Sequence, residues 1–113
     1  MQVQTSTEKR RHPRAPVGVF VRVKSGEGGG HYYSENLSPG GIFLLAELPP
    51  EVETRMRMEL FLPMVDTPVK AEGEVAWIQR QEPSGFAVRF TEISDSARDL
   101  IRVICDRFIP RPA

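Results

Sequence analysis

The stretch Arg55-Met-Arg-Met-Glu-Leu-Phe-Leu-Pro63 carries the cleanest alternation of apolar and polar residues in the chain. The apolar positions are Met56, Met58, Leu60 and Leu62, and they alternate with Arg55, Arg57 and Glu59. Because successive side chains of a β-strand point to opposite faces, this pattern predicts a strand with one buried and one exposed face. Phe61 is the one apolar side chain on the predicted outer face.

Outward from this strand, five further segments have the composition of strands. They are residues 17–24, 31–35, 42–46, 69–78 and 86–90. In residues 69–78 the alternation predicts that Val75 and Trp77 share the inner face, although Trp77 at a barrel rim would also be able to contact a base. Arg22 and Arg89 are expected on the outer surface, paired with acidic neighbours. The connections include a flexible loop over residues 25–30 and a polar turn over residues 36–41.

The end of the chain changes from a strand period to a helix period. After Ser94 the apolar residues fall on one stripe of a helix, at Ala97, Leu100, Ile101, Ile104, Cys105 and Phe108. Ser94 or Ser96 can cap the helix N-terminus, and Pro110 and Pro112 stop it. We therefore predict a mainly β protein, a six-stranded antiparallel β-barrel of Greek-key type with a C-terminal α-helix and a flexible N-terminal arm.

Length and charge point to one small domain with a basic arm. The chain has 113 residues, of which 40% are hydrophobic and 27% charged, with a formal net charge of zero. A chain of this size and composition builds one modest hydrophobic core. Because its net charge is zero, no overall electrostatic attraction to nucleic acid is expected. Residues 1–14 hold four basic residues and one acidic residue, a local charge of +3. We expect residues 1–16 to form an extended, mobile arm, since Pro13 and Pro16 disfavour a helix.

Several classes of function lack support in the sequence. Cys105 is the one cysteine, so no internal disulfide is possible, and its place on the apolar stripe predicts a core residue. No apolar run approaches the ~20 residues of a membrane span, and the first residues do not resemble a secretory signal. We therefore expect a cytoplasmic protein. His12 and His31 have no metal-ligand spacing, and no carboxylate pair marks a hydrolytic site, so neither an enzyme nor a cofactor is expected.

Two polar features carry the functional hypothesis. Arg10 and Arg14 in the arm offer planar guanidinium groups that bind phosphate and stack on bases, although a basic tail is also commonly just solvated. The second feature is the turn that begins at Asn36 and Ser38. There Gly40 and Gly41 can adopt positive φ and expose N–H groups to a phosphate or base edge, although an ordinary hairpin turn has the same composition.

These two features together resemble a known pair of motifs. Arg10-Arg-His-Pro-Arg14 followed by Asn36-Leu-Ser-Pro-Gly-Gly41 looks like the RxxxR and [D/N]xSxxG motifs of the PilZ domain family. Residues 60–63, 73–77 and 85–90 resemble later strands of that family. The resemblance places residues 9–109 in a PilZ-like domain and leaves residues 1–8 outside it as a disordered tail.

The resemblance implies a receptor for the bacterial second messenger cyclic di-GMP. It implies that Arg10 and Arg14 wrap over the ligand, and that Asn36, Ser38 and Gly41 contact a guanine and the adjoining backbone. Arg11 and Gly40, which lie within the two motifs, complete the candidate ligand-binding set. The role of Lys9 is left open.

Three hypotheses follow for the function. In the first, ligand binding orders the arm, and the new surface relays the signal to a separate partner protein. In the second, the same fold serves as a protein-interaction adaptor with weak or no nucleotide binding. The third, a single-stranded nucleic-acid binder, is opposed by the 8% aromatic content and the acidic body.

Overall fold

The computed structural model describes residues 14–25 and 28–108 of the chain. Six strands and one helix follow one another in this part. The strands are β1 (Phe20–Ser25), β2 (Gly28–Ser38), β3 (Gly41–Leu45), β4 (Arg55–Phe61), β5 (Val69–Gln79) and β6 (Gly85–Ile93), and the helix is α1 (Asp95–Phe108). The predicted strands are all present, with bounds shifted by a few residues, and β1 and β2 include Ser25 and residues 28–30 of the predicted loop.

The six strands form a closed barrel in the order β1-β2-β3-β6-β5-β4. All neighbouring strands are antiparallel, and the barrel closes where β1 pairs with β4, for example at Val21 and Leu60. Closure leaves the sheet without an open edge. The predicted fold class, an antiparallel six-stranded barrel with a C-terminal helix, is confirmed. The predicted arm over residues 1–13 lies outside the described residues.

The alternation in β4 builds the inner face of the barrel as predicted. Met56, Met58 and Leu60 are 5%, 2% and 0% exposed, whereas Phe61 on the outer face is 37% exposed. Full burial of such a side chain stabilises the fold by about 1.5–3 kcal/mol. Val21 of β1 lies on the same inner face. The core therefore includes side chains from both β1 and β4, the two strands that close the barrel.

The strand β2 extends further than the sequence predicts. Asn36, Leu37 and Ser38 all belong to β2, and the turn consists of Pro39 and Gly40 alone. Their composition is typical of a turn, but their backbones pair with β3, and Ser38 lies opposite Gly41. The predicted six-residue turn is therefore wrong. Asn36 and Ser38 are held on a rigid strand, not on a loop.

The chain joins the barrel before β1 begins. The N–H of Ala15 donates to the carbonyl of Leu37, and the N–H of Leu37 donates back to the carbonyl of Ala15, both at 2.9 Å. The Ala15 side chain is fully buried. The prediction of a mobile arm through residue 16 is therefore wrong at its last residues, since the small apolar side chain of Ala15 docks into the core. Arg14 is consequently fixed beside β2.

The helix α1 is capped and packed as the apolar stripe predicts. Ser94, one of two predicted caps, is the residue that acts: its Oγ accepts the N–H of Ala97 at 3.1 Å. Ile101 and Ile104 are buried, whereas Phe108 is 41% exposed, so the buried stripe ends before it. Among the described residues, no helix is long and apolar enough to cross a membrane.

Two hydrogen bonds tie α1 to the segment that follows Asn36. The Cys105 thiol donates to the carbonyl of Leu37 at 3.3 Å, and Arg98 donates to the carbonyl of Pro39 at 3.1 Å. The helix is therefore bonded to the same short stretch of chain that carries the polar motif.

Candidate ligand-binding site

The motif residues lie on the outer face of β2 and β3, and strand pairing extends this face over β6 and β5. Two cross-strand rows result. The first row is Asn36, Phe43, Ala87 and Trp77, and the second is Ser38, Gly41, Arg89 and Glu74. The fold thus brings the predicted residues Asn36, Ser38 and Gly41 onto one outer face of the barrel.

A shallow pocket opens on this face beside the end of the N-terminal segment. Its volume is about 260 Å³, and its lining includes Arg14, Ser38, Gly40, Gly41 and Trp77. Four predicted ligand-binding residues therefore meet in one pocket. Ligand pockets for small molecules commonly measure about 300–1,000 Å³, so this one fits part of a ligand better than a whole dinucleotide.

Two larger depressions, of about 450 and 540 Å³, lie elsewhere, over β4 and β5. Their linings share Lys24, Arg57 and Glu72 and include none of the motif residues. The smaller pocket is the candidate site because Arg14 of the first motif and Ser38, Gly40 and Gly41 of the second line it, whereas Asn36 does not.

The Ser38 hydroxyl shapes the turn between β2 and β3. It accepts the N–H of Gly40 at 3.2 Å and contacts the carbonyl of Gly41 at 3.4 Å, and Ser38 is 7% exposed. The carbonyl of Gly40 is held in turn by the N–H of Phe90 at 3.0 Å. Ser38 therefore shapes the floor of the pocket, and its contact with a ligand stays a prediction.

Gly41 is required by a close approach of two strands. A Cβ at this position would collide with the carbonyl oxygen of Val88 on β6. The prediction that Gly40 and Gly41 adopt positive φ is wrong, since no described glycine has a positive φ. The physical reason is that residue 41 already belongs to the extended strand β3.

Asn36 carries an unsatisfied acceptor. Its Oδ1 is buried and has no hydrogen-bond partner among the described residues. Such a group costs about 1–3 kcal/mol when it is left unpaired. An N–H donor of a ligand that lies against this row would satisfy it.

Trp77 belongs to the site, although the alternation of β5 predicts it in the core. The register shifts between Val75 and Trp77, and this bulge turns the indole to the outer face, where it is 39% exposed. The Arg14 guanidinium carbon lies 5.6 Å from the indole centroid, and Phe43 packs beside the ring at 5.4 Å. The arrangement is a cation–π contact on an aromatic platform. The predicted inner position of Trp77 is therefore wrong.

Arg89 is a second cation in the pocket, beside Arg14, and it belongs to neither motif. Its Nη2 lies 3.1 Å from Oε1 of Glu74, which confirms the predicted outer-surface ion pair, as does the pair of Arg22 with Glu59 at 2.8 Å. The Arg89 side chain is nevertheless 60% exposed and lines the pocket. Sequence reasoning placed Arg89 on the right face but gave no signal that this face carries the site.

The remaining predicted residues divide into those outside the described part and those in the core. Arg10, Arg11, His12 and Lys9 lie outside the described residues, so their roles stay predictions. Cys105 is 3% exposed, and burial, followed by the charge of Asp106, raises its pKa to about 11. Cys105 is therefore a core residue, as predicted. In the described part of the chain, no group of three or more potential ligands is placed to hold a metal ion.

Comparison with known proteins gives a family and a fold. The family model of the PilZ domain matches residues 8–107. No curated protein shows significant sequence similarity to the chain.

Among solved structures, the inhibitor of motility MotI from Bacillus subtilis superimposes with a TM-score of 0.75 at 22% identity, over 88% of this chain. The chain spans 50% of the length of that protein. The PilZ domain of YcgR from Escherichia coli, solved with cyclic di-GMP, gives a TM-score of 0.69 at 16% identity. It covers 88% of this chain and is itself covered over 91% of its length. At these identities the structures establish the shared fold.

Proposed function

Because the chain belongs to the PilZ domain family, we propose that it is a non-enzymatic receptor for cyclic di-GMP. The observation that carries this proposal is the pocket in which Arg14 meets Ser38, Gly40 and Gly41. Residues from the two motifs, far apart in sequence, converge there on one face of the barrel. The YcgR PilZ domain, which has the same fold, was solved with this ligand.

The pocket suits a guanine base. Trp77 offers an exposed aromatic face next to the Arg14 guanidinium, and both groups stack on flat π systems. Asn36 lies in the same cross-strand row as Trp77, outside the lining of the pocket, and its buried acceptor has no donor among the described residues. Guanine carries N–H donors on its edge, and in this proposal the ligand extends from the pocket along this row, so that an N–H donor pairs with the Asn36 oxygen and relieves its desolvation.

The basic arm suits the phosphates. Cyclic di-GMP carries two negative charges, and residues 1–14 hold a local charge of +3. Arg14 is anchored beside the pocket through the backbone pairing of Ala15 with Leu37. Arg10 and Arg11 precede it in the sequence by a few residues, and the proposal assigns them to the phosphates because guanidinium groups bind phosphate in a bidentate manner.

The signal passes, in this proposal, from the ligand to the arm and then to a partner protein. Ligand binding orders the arm across the pocket, and the ordered arm becomes a new surface for the partner. In an NMR titration the amide signals of residues 9–16 should shift, while most α1 signals stay in place. Equal shifts in the arm and in α1 would contradict this route.

Calorimetry with cyclic di-GMP tests the proposal. The wild-type chain should bind, and Arg14→Ala should weaken binding at least about tenfold, since a charge-assisted hydrogen bond contributes about 1.5–3 kcal/mol. Arg102→Ala is the matched control, because Arg102 pairs with Asp99 on the exposed side of α1. Absence of binding by the folded wild type, or equal affinities for wild type and Arg14→Ala, would overturn the proposal.

One feature favours the alternative of an adaptor with weak or no nucleotide binding. Phe20 lies within 5.5 Å, centroid to centroid, of His31, Tyr33 and Phe61 on the outer face of β1, β2 and β4. Tyr33 in this cluster is 61% exposed. A null titration together with capture of a partner that Tyr33→Ala abolishes would support the adaptor over the receptor.

A further inference from the structure

Glu74 lies between two arginines on the outer face of the barrel. Strand register places Arg55 of β4 opposite Glu74 on one side and Arg89 of β6 opposite it on the other. Arg89 is the engaged partner, with Nη2 3.1 Å from the Glu74 carboxylate. Arg55 is exposed and forms no ion pair with any described residue. Glu74 therefore lies opposite a second cation, Arg55, with which it forms no ion pair.

Arg89 is placed to leave this ion pair for the pocket. Across β3 and β6 it lies opposite Gly41, and it lines the pocket together with Ser38 and Arg14. Its side chain is 60% exposed, so rotation of the side chain meets little packing. Exposed ion pairs contribute only about 0–1 kcal/mol, and breaking this one costs correspondingly little.

An anion bound in the pocket changes the electrostatic balance between Arg89 and Glu74. A phosphate near Gly41 attracts the Arg89 guanidinium but is repelled by the neighbouring carboxylate. If Arg89 turns to the phosphate, Glu74 loses its counter-charge unless another cation replaces it. Arg55, already opposite Glu74, is the group that can do so.

We propose that Arg89 is a further ligand-binding arginine, released from Glu74 by partner exchange with Arg55. Without ligand, Arg89 pairs with Glu74. With ligand, Arg89 binds a phosphate of the nucleotide and Arg55 pairs with Glu74. This inference rests on the proposed binding of cyclic di-GMP and assigns to that site a residue outside both motifs.

A double-mutant cycle read by calorimetry with cyclic di-GMP tests the exchange. Arg89→Ala should weaken binding about tenfold or more, and Arg89→Lys, which keeps the charge but loses the planar fork, should recover part of the loss. Arg55→Ala should weaken binding about two- to fivefold, because Glu74 then holds Arg89. Glu74→Gln should bind as tightly as wild type or more tightly.

The decisive comparison is Arg55→Ala in the Glu74→Gln background. With the carboxylate removed, Arg55 has nothing to neutralise, so the double variant should bind like Glu74→Gln alone. Arg22→Ala is the control, because Arg22 forms a comparable outer-face ion pair with Glu59, away from the pocket. Far-UV circular dichroism establishes that each variant is folded.

The outcomes separate this inference from the proposed function. If wild type binds and Arg89→Ala binds equally well, Arg89 is not a ligand residue and the inference is overturned. If Arg55→Ala still weakens binding in the Glu74→Gln background, the exchange is overturned. If folded wild type does not bind at all, the proposed function fails, and the exchange fails with it.

Discussion

Asn36 joins the sheet through its backbone, while its buried side-chain oxygen has no hydrogen-bond partner in the described part of the chain. Unpaired buried polar groups are uncommon in native proteins, and the proposed ligand would supply the missing donor. Ser34, earlier on β2, is the opposite case. Its buried Oγ accepts the N–H of Val19 at 2.8 Å and donates to the carbonyl of Val17 at 2.7 Å. Two polar side chains on one strand thus differ in whether the protein itself satisfies them.

Substitution of these two residues by alanine should separate stability from binding. Asn36→Ala removes an unsatisfied acceptor, so the free energy of unfolding of the unliganded protein should be unchanged or higher by up to about 1 kcal/mol, while binding is lost. Ser34→Ala leaves the Val19 N–H unpaired and should lower the free energy of unfolding by about 1–3 kcal/mol. Urea denaturation measures both. A large destabilisation by Asn36→Ala would mean that its side chain is structural.

The Cys105 thiol should make stability fall at high pH. Burial raises its pKa from 9.0 to about 11 in the folded protein. Between these values the unfolded chain loses the proton and the folded chain keeps it, so this contribution is complete below pH 9 and is lost as the pH rises towards 11.

The measurement compares wild type with Cys105→Ala in urea at pH 8 and pH 10.5. The difference in free energy of unfolding between the two proteins should narrow by about 1–2 kcal/mol at the higher pH. A difference that does not change with pH would show that the thiol is not desolvated in the folded protein.

At the scale of elements, β4 and β5 mark what sequence patterns can and cannot predict. β4 is regular and half-buried, so its period of two gives the correct inner face at Met56, Met58 and Leu60. β5 has the same alternation up to Val75, after which a bulge reverses the faces and exposes Trp77. A bulge depends on the register with β6, which no local pattern contains.

The turn motif gives a similar lesson. Asparagine, serine and glycine are typical of turns, yet Asn36 and Ser38 lie in β2 because they pair with β3. The sequence therefore indicates the candidate site residues but not the strand to which they belong. Arg14 and Trp77 are far apart in sequence, so no local pattern predicts their contact.

The N-terminus of α1 offers a test with a control two residues away. Ser94 Oγ accepts the N–H of Ala97, whereas Ser96 Oγ contacts only the Ser94 hydroxyl among the described residues, at 3.3 Å. Ser94→Ala should therefore lower the free energy of unfolding by about 1 kcal/mol, and Ser96→Ala should change it by less than about 0.5 kcal/mol. Thermal unfolding followed by circular dichroism measures both. Equal effects would contradict the assignment of Ser94 as the cap.

At the scale of the whole molecule, folding and ligand capture use different parts of the chain. The closed barrel is complete within residues 20–93, and the core adds Ala15, Val17 and Val19 before it. The basic residues Arg10 and Arg11 precede this anchored segment. In the proposed receptor the barrel therefore provides the binding face, and the residues before Arg14 add two further arginines for the ligand.

Deletion of residues 1–13 should separate these two roles. The shortened chain keeps Ala15 and every strand pairing of the barrel, so it should unfold cooperatively, with a Tm within a few degrees of the full chain. Its affinity for cyclic di-GMP should fall about a hundredfold or more, because the deletion removes Arg10 and Arg11, and a charged hydrogen bond contributes about 1.5–3 kcal/mol. Calorimetry and thermal unfolding together give the answer. Full affinity in the shortened chain would place recognition on the barrel face alone, and loss of the cooperative transition would give the first thirteen residues a part in the fold.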